Sequence, residues 1–213
     1  MEKIVDTFKL SLQENIKNIS ANLLELSIDA LLDNEVIKSI PIVQSIRHMY
    51  GMVTSIQKIN LVKQIVTFIN NVNKGIATQK EKDIFLKKLN NKKELNKILE
   101  LLLYLLERNI EKEKSIIYAK IFTNYIKEYI SYNDLLELMM INDSVFLSDI
   151  DSVITIYKNP KNSENCSMSS LGRISSLGLG YLADVVDNET LYLNSKNFKL
   201  TDIGKKFVEI ITV

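Results

Sequence analysis

The sequence predicts a mainly α chain, a multi-helix bundle followed by a small C-terminal α/β module. Apolar residues recur at spacings of three and four through most of the 213 residues, and 46% of the chain is hydrophobic, enough to bury a sizeable core. Only two prolines and six glycines interrupt it. The texture changes in the last fifth, where SSLGRISSLGLGYLADVVDNETLYLNSKNFKLTDIGKKFVEI carries a short helix, two β-like runs about a polar turn, and a final helix.

The N-terminal stretch 2–33 reads as helix, with Ile4, Phe8, Leu12, Ile16 and Ile19 on one stripe and Leu24, Ile28 and Leu31 resuming it. Pro41 suits the first turn of the next helix, where its missing N–H costs nothing. From there Ile42, Ile46, Met49 and Val53 keep a heptad rhythm and form a candidate self-association seam. Either the body's own helices cover that seam or a second copy does, giving a homodimer. The rhythm shifts phase at Ile59, Val62, Val66 and Ile69, so a break near 56–60 or a rotating buried face is expected, with Gly75 as C-cap. Thr78-Gln79-Lys80-Glu81 is a capping box that starts a helix to about Leu89. The following helix, Lys92 to Arg108, is apolar nearly all round between Ile98 and Leu106, which predicts the centre of the bundle.

A helix through Ile116, Phe122 and Tyr129 follows, then a shorter one from Ser131 to Ile141 and a third that Asp143 can cap, through Tyr157. The segment 159–167, KNPKNSENCS without its first residue, reads as a linker. The expected organisation is a helical body at 1–158, that linker, and a module at 168–213. In the module a helix near Met168–Leu177 stops at Gly178 and Gly180, the runs Leu182–Val186 and Thr190–Leu193 flank Asp187-Asn188-Glu189 as a hairpin, and Thr201 caps the last helix. That order is the order of a winged helix-turn-helix module.

Chemistry-bearing residues are sparse. The only histidine, His48, lies inside a helix and the only cysteine is Cys166, so neither a His-based nucleophile relay nor a soft-metal site is expected. Asp143, Asp149 and Asp151 lack an oxygen-ligand loop and read as capping or solvated carboxylates. Gly172, Gly178 and Gly180 neither follow a strand nor precede a Lys-Ser/Thr pair, so no phosphate cradle is formed. No cofactor and no enzymatic activity are expected. The net charge of +1 gives no global attraction to nucleic acid or anionic lipid, although 74–114 is mildly basic. No signal-peptide core or membrane-length apolar run is seen, so the expected location is the cytoplasm and a membrane role is disfavoured.

Ser169, Ser170, Arg173, Ser175 and Ser176 are the polar positions of the helix before the hairpin, and Ser169, Ser170, Arg173 and Ser176 are the candidate contacts to DNA or to a protein partner. Asp184, Asp187 and Glu189 at the wing would repel a phosphate backbone. A protein partner is therefore favoured over DNA, with a DNA-binding regulator as the alternative.

AKIFTNYIKEYISYNDLLELMMINDSVFLSDIDSVITI, followed by LGRISSLGLGYL and FKLTDIGKKF, resembles helical proteins of the prokaryotic abortive-infection (Abi-alpha-like) type. The resemblance covers about residues 115–213 and implies a winged-helix-like end and a phage-defence role. It transfers no catalytic residue.

Overall fold

The computed structural model describes residues 2–14, 34–50, 56–76, 78–89, 92–183 and 198–212. The chain is mainly helical, with one small sheet of two strands among the described residues. It divides into two compact units, Met1–Ile130 and Ser131–Val213.

The first unit contains α1 (Glu2–Gln13), α2 (Glu35–Lys38), α3 (Pro41–Tyr50), α4 (Ile56–Gly75), α5 (Gln79–Leu89), α6 (Lys92–Arg108) and α7 (Lys112–Ile126). The centre is α4 rather than the expected 98–106 segment of α6. Every residue from Gln64 to Asn70 is buried, whereas α6 is one-sided: Leu95, Ile98, Leu99, Leu102, Leu105 and Leu106 face inward while Tyr104 is 59% exposed. Polar residues inside α4 conceal its position from a hydrophobicity reading. Phe68 of α4 stands between Phe8 of α1 and Phe122 of α7, at centroid separations of 5.7 and 5.6 Å and in tilted geometries that favour ring edges over faces.

Several interior polar groups of this unit pair with one another, while Asn70 Nδ2 and Asn73 Nδ2 are buried with no hydrogen-bond partner among the described residues. The Ser115 hydroxyl donates to Gln64 Oε1 at 2.5 Å, and Gln64 Nε2 donates to Asn60 Oδ1 at 3.2 Å. Asn60 in turn donates to the Asn109 carbonyl at 2.6 Å, and Asn109 Nδ2 reaches the Tyr118 hydroxyl at 3.2 Å. Leaving any of these unpaired would cost about 1–3 kcal/mol. Gly75 ends α4 as expected, but its lack of a side chain serves packing: a Cβ there would lie 2.9 Å from Thr123 Cγ2 of α7. The Thr78–Glu81 capping box forms, and Lys127 pairs with Glu81 at 2.6 Å. That ammonium, helped by the Thr78 backbone N–H, holds the Glu81 carboxyl down at about 2.

The second unit is α8 (Tyr132–Ser144), α9 (Leu147–Lys158), a 3₁₀ helix (Pro160–Asn165), α10 (Met168–Ser176), β1 (Gly180–Leu182), β2 (Phe198–Leu200) and α11 (Asp202–Thr212). Ser131 and Asp134 cap α8 reciprocally, and Lys206 of α11 pairs with Asp134 at 2.7 Å. Asp143 does not cap α9; it lies in the last turn of α8, and Phe146 occupies the α9 N-cap without a side-chain bond. The expected boundary differs as well. The contact boundary falls after Ile130, and 159–167 is not an open linker, since Asn159 caps the 3₁₀ helix and Ser163 is buried.

β1 and β2 are antiparallel, with Gly180 opposite Leu200 and Leu182 opposite Phe198. Thus the paired strands begin before Leu182 and include Phe198–Leu200, where the sequence reading places none. Most of the expected runs 182–186 and 190–193, and the turn 187–189, lie outside the described residues. The base of this hairpin is tightly tied. Gly178 adopts φ +72° to end α10, and its carbonyl accepts from Thr201 Oγ1 at 2.6 Å. Thr201 caps α11 as expected, accepting from the Gly204 N–H at 3.1 Å, while the Thr201 N–H donates to the Leu179 carbonyl at 3.1 Å. A Cβ on Gly204 would sit 2.0 Å from that same carbonyl oxygen.

The all-round burial of α4 sets the expected ranking of truncations. Phe68→Ala should lose about 3–5 kcal/mol and Leu102→Ala about 2–5 kcal/mol in denaturant unfolding, because each leaves a cavity. Tyr104→Ala should stay within about 0.5 kcal/mol. A Tyr104 loss matching that of Phe68 would put α6 back at the centre.

Candidate functional site

The module's candidate contact helix is α10, and its orientation is set by one carboxylate on α9. Asp149 lies in the first turn of α9 with its side chain 2% exposed. Arg173 Nε donates to Asp149 Oδ2 at 2.6 Å and Arg173 Nη2 to Oδ1 at 2.7 Å, a bidentate fork. The Ser170 hydroxyl adds a third bond to Oδ1 at 2.7 Å and lies 3.2 Å from Ser152 Oγ. The guanidinium also stands 5.2 Å from the centre of the Phe146 ring. Arg173 is the main reason that the Asp149 carboxyl titrates below its ordinary range; burial opposes this and Ser170 reinforces it.

Ser170 and Arg173 are one helical step of three apart, so both face α9. Leu171 and Ile174 are buried beside them. The outward positions are Met168, Ser169, Gly172, Ser175 and Ser176, a surface of small uncharged groups at the end of one methionine. Ser167 caps the helix by accepting from the Ser170 N–H at 3.1 Å. Ser175 and Ser176 turn their hydroxyls to the carbonyls of Gly180 and Arg173, at 2.9 and 2.8 Å.

The four expected contact residues therefore separate. Ser169 and Ser176 are exposed, Ser170 is buried, and Arg173 is committed to Asp149. Asp149 is the residue that sequence reasoning missed, having been expected as a capping or solvated group. Its partners lie 21 and 24 positions away, beyond any local spacing signal. Asp184, Asp187 and Glu189, expected at a wing, lie outside the described residues.

The candidate seam also divides. Ile42 and Ile46 are buried at 0% and 1% exposure in contact with the chain's own α1, while Met49 is 51% exposed. Ser11 of α1 accepts from the Ile42 N–H at 2.9 Å and so satisfies the start of α3. Those two isoleucines are intramolecular core, which corrects the alternative that a second copy covers them. Val53 lies outside the described residues. His48 is exposed on α3.

Among the described residues, no three His, Cys, Asp or Glu side chains gather in a group that could hold a metal ion. None of the described helices is long and apolar enough to cross a membrane. Comparison with known proteins returns no matching family model, no matching curated protein and no matching solved structure.

Removing the guanidinium should expose the cost of burying Asp149. Arg173→Leu should lower the unfolding midpoint of the second unit, by less than the loss of a wholly buried pair would, because solvent reaches part of the guanidinium. The sign with pH follows from the depressed carboxyl. Its contribution is present above roughly pH 4, the ordinary carboxylate value, and is lost as pH falls through the lower folded value. Asp149→Asn should therefore remove part of the acid-side loss of stability, read as the thermal midpoint between neutral pH and the onset of acid unfolding.

Proposed function

We propose that residues 131–213 act as a winged-helix-type docking module for a protein partner, in a chain whose role is interaction rather than catalysis. The observation that supports this reading is the state of Arg173. It is the one cation of α10, and Asp149 takes its side-on donors, Nε and Nη2. In this pose only the outer Nη1 and Nη2 hydrogens could meet a guanine edge, and swinging the side chain outward to reach one would strand a buried carboxylate. What α10 offers outward is neutral and small, a surface that permits close approach of another polypeptide and gives no attraction to phosphates.

The phage-defence role rests on the abortive-infection resemblance of the quoted motifs alone. The winged-helix assignment rests on the order of elements, three helices, a paired hairpin and a closing helix.

Two measurements test the docking reading. Duplex DNA should bind no more tightly than the roughly micromolar level of nonspecific association at physiological salt, and Arg173→Ala should leave that binding almost unchanged. A photo-crosslinking side chain placed at Ser169 or Ser176 in the native host should yield protein adducts. Nucleic-acid adducts, or nanomolar and salt-steep DNA binding lost with Arg173, would establish a DNA-binding regulator instead.

A further inference from the structure

A concave surface in the same unit is separate from the outward face of α10. It is a cleft of about 410 Å³ between α9, the start of the 3₁₀ helix, the hairpin and α11. That volume falls within the range of about 300–1,000 Å³ common to small-molecule sites. Tyr157, Tyr181, Lys199 and Lys205 line it, with apolar surface from Pro160 and Leu200.

The two tyrosines are 40% and 48% exposed, large rings left open to solvent on the wall of a cavity. Tyr157 is held in place by donating its hydroxyl to Glu209 Oε1 at 3.0 Å. Tyr181 and Lys199 are register partners on neighbouring strands, which sets an ammonium beside an aromatic ring on one face of the hairpin. The Lys199 ammonium has no ion-pair partner among the described residues. Among the described residues, Lys205 pairs with Asp202 at 3.1 Å, and that carboxylate is fully exposed, so the pair is weak and readily exchanged. Among the described residues that line the cleft, none is a carboxylate.

We infer that this cleft binds a planar aromatic anion, its ring against Tyr157 and Tyr181 and its charged group between Lys199 and Lys205. Aromatic faces contribute dispersion and stacking whatever the ring, and the two ammonium groups supply charge-assisted hydrogen bonds to phosphate, sulfonate or carboxylate oxygens. This site does not depend on the docking reading, since no residue of α10 lines it.

The test uses the full chain with adenosine monophosphate and phenyl phosphate as probes, followed by amide chemical shifts in nuclear magnetic resonance. Both probes should shift the signals of Tyr181 and Lys199 in a saturable, one-to-one manner. Adenosine, phenol and inorganic phosphate should each bind at least roughly tenfold more weakly, equivalent to about 1.4 kcal/mol. The double substitution Lys199→Ala with Lys205→Ala should weaken the phosphate esters by a similar factor while the other amide signals keep their native dispersion. Tyr181→Ala serves as an independent variant on an exposed position. The inference is overturned if neither ester shifts these signals at millimolar concentration, if inorganic phosphate binds as tightly as its esters, or if the variants bind unchanged.

Discussion

Moving a carboxylate out of water costs several kcal/mol unless charge and hydrogen bonds replace the lost hydration, and Asp149 is where the second unit meets that requirement. Both replacements come from α10: two guanidinium nitrogens of Arg173 and the hydroxyl of Ser170. Three directed bonds from residues a single turn apart fix how α10 is rotated against α9. The rotation in turn decides that Ser169, Gly172 and Ser176 face outward. The outward surface of the helix is thus a consequence of an inward ion pair, and its lack of charge follows from where the helix's only cation is spent.

The first unit solves a related problem without charge. Its central helix is buried on all sides over Gln64 to Asn70, so a polar side chain there is stabilised only by a partner inside the protein. Gln64 and Asn60 find one in a run that includes Ser115, Asn109 and Tyr118 and ties α4 and α7 to the α6–α7 connection, whereas Asn70 Nδ2 has no partner among the described residues. Apolar packing alone tolerates small slides of one helix along another, whereas these bonds are met in one register. The Phe8, Phe68 and Phe122 rings supply bulk at the same helix junction, and the close approach at Gly75 and Thr123 sets how near α4 and α7 can come.

The helices were largely legible because periodicity is local. Ser131, Thr78 and Thr201 announce helix starts through hydroxyls placed before the first turn, and all three perform that role. What sequence reading could not rank was burial among several apolar helices. Leu101 and Leu103 make α6 look apolar all round, yet both are only half-buried and the adjacent Tyr104 faces solvent, while polar residues of α4 lie inside. The seam through Ile42 and Ile46 was visible as a stripe, but a stripe does not say which surface covers it. For the candidate site, the helix 168–176 was found and its charged member misassigned, because the pairing of Arg173 with Asp149 is tertiary. The Tyr181 and Lys199 pair was likewise hidden, since it requires the register of two strands, and the alternation of Phe198-Lys199-Leu200 runs over only three residues.

The tie between α10 and α11 has a consequence for how the second unit opens. Gly178, Leu179, Thr201 and Gly204 lock the end of α10 to the start of α11, and Leu182 faces Phe198 across the paired strands. Because these bonds join the two helix ends on either side of the strand pair, α10 and α11 cannot part without losing the β1–β2 ladder as well. Both helices and the small sheet therefore open as one cooperative piece, so their amide protons exchange with similar free energies rather than helix by helix.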